Sequence, residues 1–378
     1  MEYDYIIIGA GAAGLMLADA LGSDPHFSAH SILLLDKDSK KANDRSWCFW
    51  EKGEGKFDPI VSHSWDHVFF SASGFKKRFN ISPYTYKLVR GIDFYRSYMN
   101  RISAYPNITF KQEEVLSIKE NETQVQLTSD QMNYVAKQVF SSVFDLSQIK
   151  AQNKYPVLQQ HFVGWFIKTD TPVFSKETAT LMDFSIDQAN NTRFMYVLPF
   201  SATEALVEYT LFSEKLLPNL EYEQAIEAYM LHHYNCTAYE VSEKEQGSIP
   251  MTVFKFNEIQ TKRIYPIGTA GGWTKSSTGY TFYNTAKKTA LLVRDLKQKK
   301  KPKHFVSRKF RCYDLILLDV LYKNNATGHR VFGSLFKKRS PQLIFKFLDE
   351  ETSIWEDLKI ISACPKKEFI LALIHRFF

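Results

Sequence analysis

The sequence predicts an α/β fold: a Rossmann-like dinucleotide-binding domain interleaved with a β-rich second domain, followed by a helical C-terminal region. Three observations predict it. The chain opens on a strand, a glycine-rich turn, a helix and a second strand ending in an acid. A long strand-rich stretch then follows. The nucleotide-domain theme returns near residue 265, with a short strand that closes on another glycine-rich loop.

The first element, Asp4 to Ile8, reads as a buried strand and runs into Gly9-Ala10-Gly11-Ala12-Ala13-Gly14. In such a turn Gly9 permits the tight bend, Gly11 lets the backbone approach a pyrophosphate, and Gly14 lets the helix pack close to the sheet. The helix that begins at Leu15 offers free N–H groups and a positive dipole end to phosphates. The second strand, Ile32 to Leu35, ends in Asp36, an acceptor for a ribose diol 22 positions after Gly14. The motif alone does not choose between FAD and NAD; its place at the N-terminus favours FAD. Short strands are expected over 65–90, and a helix over Gly91–Ser103 from the spacing of Ile92, Tyr95, Met99 and Ile102. Asn107–Phe110 reads as a strand, followed by a meander at Val115–Ile118, Gln124–Leu127 and Tyr134–Ala136, then a buried strand, Val139–Phe144. Strand signals continue over 155–256, with one helix at Tyr222–Tyr234. Arg263–Ile267 is a short strand, Gly268, Gly271, Gly272 and Gly279 mark a loop, and Phe282–Lys297 is a helix. The expected division is therefore 1–60, 91–150 and 257–300 for the nucleotide domain, 61–90 and 151–256 for the substrate domain, and 301–378 for the helical region.

With 44% hydrophobic and 24% charged residues the chain is globular rather than disordered. Thirty Phe and twenty Tyr suit either a large apolar cavity or an aromatic-rich core, and composition does not separate the two. The net charge of +7 is concentrated in Lys297–Lys303 and Lys337-Lys338-Arg339, runs that suit a solvated surface or an anionic membrane. No paired recognition motif accompanies them, so no nucleic-acid partner is expected. Cys48, Cys236, Cys312 and Cys364 are scattered without a C-x-x-C, which points to free thiols in a reducing compartment and to no metal site. No apolar run reaches the roughly 18 residues of a membrane span.

Several segments resemble the lycopene cyclase family, flavoproteins that close the ends of linear carotenes. Asp44-Arg45-Ser46-Trp47-Cys48-Phe49-Trp50 is similar to the family's D-R-T-W-C-F-W segment, and Gln160–Trp165 to its Q-H-F-x-G-W. Leu181-Met182-Asp183-Phe184, Tyr196-Val197-Leu198-Pro199 and Leu206-Val207-Glu208-Tyr209-Thr210 resemble its M-D-F, Y-x-L-P and F-L-E-E-T segments. Gly268 to Tyr280 resembles the flavin-facing G-x-A-G…T-G-Y loop. The order of these segments is shared along nearly the whole chain. Two departures stand out: the acidic pair is reduced to Glu208 followed by Tyr209, and Thr274-Lys275-Ser276 replaces the His-Pro found in many members. Phe347-Leu348-Asp349-Glu350-Glu351-Thr352 imitates the acidic segment, but in the wrong order along the chain, so an exposed acidic turn of a helix is the expected reading rather than the catalytic acid.

The resemblance implies a two-domain fold similar to p-hydroxybenzoate hydroxylase and glutathione reductase, and a lycopene β-cyclase activity that converts lycopene to γ-carotene and β-carotene. It implies reduced FAD as cofactor, NAD(P)H as electron donor, and cofactor contacts from Gly9, Gly11, Ala13, Gly14, Asp36, Arg45, Gly268, Gly271 and Gly272. Glu208 is the implied proton donor and Asp183 a second polar group near the reacting end. Alternation alone leaves Glu208 equally readable as a surface residue of an amphipathic strand. Trp165, Phe184, Tyr196 and Phe200 are candidates for a π-rich wall, and also for ordinary core positions. Carotene substrates live in membranes, so a peripheral site on the inner face of the cell membrane is expected. The basic and apolar tail Lys366–Phe378 is the candidate anchor, or else a buried core helix. A flavin monooxygenase, a prenyl-chain reductase and a non-catalytic carotenoid-binding module are the competing readings.

Overall fold

Strand Glu2–Ile8 is apolar where it is central: Ile6, Ile7 and Ile8 are buried between layers, as a parallel strand covered on both faces requires. In this computed structural model, which describes residues 1–302 and 307–377, the strand lies at the heart of a seven-stranded sheet. Lys303 of the basic run and Phe378 of the tail lie outside the described residues. The sheet order is Ile108–Gln112, Ile32–Asp36, Glu2–Ile8, Asn133–Ser141, Val125–Ser129 and Val115–Glu120, with Ile264–Pro266 alongside Asn133–Ser141. The two strands expected around Tyr134 and Val139 are one, Asn133–Ser141. Its first half pairs antiparallel with the meander and its second half parallel with Ile264–Pro266. Polar Lys137 and Gln138 interrupt the apolar run without ending the strand. Helices Ala12–Gly22 and Phe282–Lys297 pack against each other beside this sheet.

The second sheet, also seven-stranded, runs in the order Tyr239–Met251, Leu158–Thr169, Glu204–Ser213, Thr192–Pro199, Ala179–Asp183, His67–Ala72 and Phe75–Asn80. Its side chains alternate between two destinations. Val163, Trp165 and Ile167, with Val207, Tyr209 and Leu211, pack under helix Asn219–Tyr234. The intervening residues face the opposite side. There a three-stranded sheet lies across the boundary expected at residue 60: Ser46–Lys52, Tyr84–Arg90 and His63–Trp65.

Five helices complete that side: Arg308–Lys323, Gly328–Lys338, Pro341–Leu348, Ile354–Ala363 and Lys366–Phe377. Phe336 stacks on Phe70 with ring centroids 4.2 Å apart, and Phe332 stacks on Phe184 at 6.0 Å. An ionic latch ties this region to the second glycine-rich loop. Buried Lys275 reaches both Asp314 and Glu350 at 2.9 Å. The acidic imitation segment is therefore not an exposed turn. Asp349 accepts a hydrogen bond from Trp50 Nε1 at 2.8 Å, Glu350 binds Lys275, and Glu351 pairs with Lys287 at 2.9 Å. Removing Lys275 would strand the buried Asp314 carboxylate, so Lys275→Met is expected to destabilise the protein by about 3–5 kcal/mol. Urea unfolding followed by tryptophan fluorescence checks this; an unchanged midpoint would show that the latch contributes nothing.

Candidate active site

The first glycine turn is built for close approach. Gly9 holds φ +94, and a Cβ on Gly14 would lie 1.8 Å from the Gly9 carbonyl oxygen. A Cβ on Gly11 would meet nothing within 4 Å, and Gly11 borders a cavity. The second glycine loop comes to the same place: a Cβ on Gly268, at φ +60, would lie 2.8 Å from Ala13 Cβ. Asp36 ends its strand as expected, and its carboxylate accepts the Ala10 N–H at 2.6 Å. Arg45 also borders the cavity and is paired with Asp44 at 2.7 Å. Gly271 and Gly272 form the close turn of the second loop, where a Cβ on Gly271 would lie 2.3 Å from the Pro266 carbonyl oxygen.

From these loops a cavity of about 690 Å³ extends between the second sheet and the C-terminal helices. Its walls change character along its length. Near the glycine loops Gln160 Oε1, Thr278 Oγ1 and Thr285 Oγ1 are buried with no hydrogen-bond partner. Farther on, the lining is hydrocarbon and aromatic: Leu181, Phe194, Phe212, Phe332, Phe336 and Phe345. The far end is reached by Ile361 and Leu373, both exposed on the outer surface.

In the middle stands Glu208. Strand alternation turns it into the cavity, opposite to Val207 and Tyr209. It is 7% exposed and accepts a hydrogen bond from the Thr210 hydroxyl, its one hydrogen bond among the described residues. Burial, reinforced by the neighbouring Glu245 carboxyl, pushes its pKa up to about 8. Tyr86 and Tyr196 share a hydroxyl–hydroxyl hydrogen bond of 2.7 Å on the same wall, and Trp50 stacks on Phe345 at 4.5 Å. Such a site favours the protonated form of a carboxyl among aromatic faces. It is equipped to deliver a proton to an apolar molecule and to stabilise positive charge there.

The lycopene cyclase protein family matches residues 4–373. The chain belongs to the lycopene cyclase family. A comparison with curated proteins returned no match. Among solved structures, a geranylgeranyl bacteriochlorophyll reductase-like protein from Thermoplasma acidophilum is similar with a TM-score of 0.60 at 10% identity, covering 100% of this chain and 96% of that one. A flavoprotein/dehydrogenase from Cytophaga hutchinsonii gives 0.61 at 13%, covering 99% and 98%. A p-nitrophenol 4-monooxygenase from Pseudomonas putida gives 0.59 at 13%, also covering 99% and 98%. These likenesses show that this member of the lycopene cyclase family has the same α/β fold.

Not every expected site residue reaches the cavity. Asp183 is fully buried but elsewhere: it accepts Tyr229 Oη at 2.9 Å and the Ser185 N–H at 2.9 Å, with His233 at 3.8 Å. Strand Ala179–Asp183 presents Leu181 and Met182 to the cavity instead, so Asp183 is corrected to an anchor for helix Asn219–Tyr234. Of the four aromatic candidates only Tyr196 lines the cavity. Trp165 faces the helix side by alternation, Phe184 packs on Phe332, and Phe200 stacks on Phe166 at 5.8 Å. Glu245, Cys48 and Tyr86 line the cavity and were not anticipated. A signal existed for Cys48 in its strand, where Ser46, Cys48 and Trp50, two residues apart, all border the cavity, with Trp47 beside them.

A carboxyl whose folded pKa is raised stabilises the fold fully at low pH. That stability is lost as pH rises from the ordinary glutamate value of 4.5 through about 8. Glu208→Gln removes this loss. The variant is expected to match the parent in thermal midpoint near pH 4 and to exceed it increasingly up to pH 9. A constant difference across that range would show that Glu208 titrates normally.

Proposed function

We propose that the protein is an FAD-dependent lycopene β-cyclase that closes carotene ends without net oxidation or reduction, with Glu208 as proton donor. The observation that carries this reading is Glu208 itself: a buried carboxyl with raised proton affinity in the wall of an aromatic cavity that opens from a dinucleotide cradle.

The cradle fits the cofactor. Gly9 and Gly14 permit the tight turn and the close helix, Gly11 leaves open space for a pyrophosphate, Gly268 and Ala13 bring the two loops together, and Gln160, Thr278 and Thr285 offer unpaired polar atoms to a heterocycle. Asp36 and Arg45 are the proposed ribose and phosphate-side contacts. Reduced FAD supplies a negatively charged, electron-rich ring system that stabilises a nearby carbocation in a poorly hydrated site. NAD(P)H is the proposed source of its electrons. The protein's own groups do the rest. Glu208 delivers its proton to the terminal trisubstituted alkene, and the next double bond attacks the tertiary cation to close the ring. Tyr86, Tyr196 and Trp50 present π faces and phenol oxygens to the positive charge, and the Phe-rich walls exclude water that would trap it as an alcohol. The division into nucleotide, substrate and helical regions at the boundaries given above is part of this proposal.

The substrate's source is proposed to be a membrane. None of the described helices is long and apolar enough to span one. The expected tail helix is amphipathic, and a second helix joins it: Ile354, Trp355, Leu358 and Ile361, with Ile370, Leu371, Leu373 and Ile374, are exposed at the far end of the cavity. Lys359, Lys366 and Lys367 are exposed on the same helices, and Lys337 and Lys338 at the end of helix Gly328–Lys338, which suits docking on an anionic bilayer. The combined variant Trp355→Glu, Leu358→Glu and Ile374→Glu is expected to lose co-sedimentation with anionic vesicles while keeping its fold by circular dichroism. Undiminished binding would remove this surface from the proposal.

The activity is tested by anaerobic incubation with lycopene in liposomes and pre-reduced FAD, with chromatography of the carotenoids. β-Ring products without matching NADPH consumption are expected, falling at least about 100-fold in Glu208→Gln. Unchanged lycopene with flavin bound, or product formed in step with NADPH, would instead indicate a reductase or monooxygenase.

A further inference from the structure

Glu208 does not stand alone in its wall. Strand Leu158–Thr169 is paired on one edge with Glu204–Ser213, which sets Glu208 opposite Gly164. On its other edge it pairs with Tyr239–Met251, which sets Glu245 opposite the same glycine. A Cβ on Gly164 would lie 3.5 Å from Glu208 Cβ and 3.4 Å from Glu245 Cγ, so the two acid stems stand within about 7 Å of each other. Both are 7% exposed and both border the cavity. Ser46 Oγ donates to Glu245 at 2.9 Å. Two residues back, half-buried Glu243 is held by Arg90 and Asn43. The carboxyls thus form a line from the cavity toward the surface.

The reaction proposed above, on which this inference rests, needs a base that takes the proton shed by the ring and a route that returns it to Glu208. Its donor ends each turnover ionised, while the new ring sheds a proton that must return. We propose that Glu245 is the proton-return partner of Glu208: its carboxylate takes the proton shed by the ring and passes it across Gly164 to Glu208. The bonds balance. The Glu208 O–H bond breaks as a C–H bond forms at the terminal alkene, and a C–C bond closes the ring. A ring C–H bond then breaks, its electron pair becomes the ring double bond, and its proton goes to Glu245. Transfer from Glu245 to Glu208 restores the starting state, with one proton on the pair and no change in oxidation level.

The electrostatics support a shared proton. Two carboxylates this close in a dry wall resist double ionisation, so the pair titrates in coupled steps. Arg45, Arg90 and Glu243 face Glu245, while Cys48 and Tyr280 face Glu208. Burial pushes Glu245 up to about 7, with the Ser46 hydrogen bond opposing and Glu243 adding to the rise. Cyclisation should therefore show a narrow bell: it needs Glu208 protonated and Glu245 ionised.

The test is Glu245→Gln in the reduced holoenzyme, with two readouts. Infrared difference titration without carotene follows the Glu208 carboxyl band, identified by its loss in Glu208→Gln. In Glu245→Gln that band is expected to ionise at least about one pH unit lower, because a like charge is gone. With lycopene in liposomes, the rate is expected to fall at least about tenfold, and the residual activity to lose its acid limb. Ser46→Ala, a milder change, should move the acid limb to higher pH. An unmoved Glu208 band overturns the pairing. A retained acid limb in Glu245→Gln overturns the proton-return role. If wild-type protein makes no cyclic carotene, the functional reading fails and the return role with it; the substrate-free titration still distinguishes that failure from an absence of coupling.

Discussion

A carboxyl group keeps its proton near neutral pH only where water cannot solvate the anion, and a large part of this molecule is arranged around that requirement. Glu208 sits on a strand that is itself paired along both edges, so no backbone edge admits water beside it. One face of the sheet is sealed by helix Asn219–Tyr234 through Trp165, Val207 and Tyr229. The other is roofed by the C-terminal helices through Phe332, Phe336 and Phe345. Removing any layer would rehydrate the acid and return it toward ordinary behaviour. Gly164 belongs to the same design: a side chain there would crowd Leu206 as well as both acids.

The second requirement is that the dry region meet the nucleotide cradle, and here the two halves of the chain depend on each other. The glycine turn at the N-terminus and the loop beginning at Gly268 come from opposite ends of the nucleotide domain, yet Gly268 approaches Ala13 closely enough to exclude a Cβ. The second loop also carries Lys275, the buried cation that holds Asp314 and Glu350. Cradle, cavity and helical roof are thereby linked through one residue at the position where the loop departs from its family pattern. The latch fixes the roof over the cavity while the outer helices, Ile354–Ala363 and Lys366–Phe377, keep apolar side chains exposed at its far end.

Much of this was legible in the sequence, and the failures have a common cause. The glycine fingerprint, the acid at Asp36 and helices such as Gly91–Ser103 and Phe282–Lys297 rest on local rules, and the structure places them as expected. Alternation correctly turned Glu208 away from Val207 and Tyr209. Alternation does not say which face of a sheet is the cavity, so it leaves Trp165 open between wall and core; on the opposite parity from Glu208's cavity-facing neighbours, it takes the core side. Asp183 was misplaced: its strand has irregular register between Thr180 and Asp183, which breaks simple parity. Glu245 was missed because its strand, Tyr239–Met251, reads as a solvent-facing run of charges until Ile249. Its burial comes from cross-strand packing against Gly164 and Ser46, contacts far apart in sequence. The role of Asp349–Glu351 was likewise set by long-range partners, Trp50, Lys275 and Lys287.

The central claim is that a protein-held proton, not a hydride or oxygen, is what the substrate gains. It is tested most directly by running the reaction in D₂O with pre-reduced FAD and lycopene, and weighing the products by mass spectrometry. In the first turnover of enzyme pre-equilibrated in D₂O the account predicts one deuterium on the carbon that received the proton, in a product otherwise isomeric with lycopene; in later turnovers the returned ring proton dilutes the label. A product gaining two hydrogens or an oxygen atom, or a first-turnover ring formed without deuterium, would contradict it.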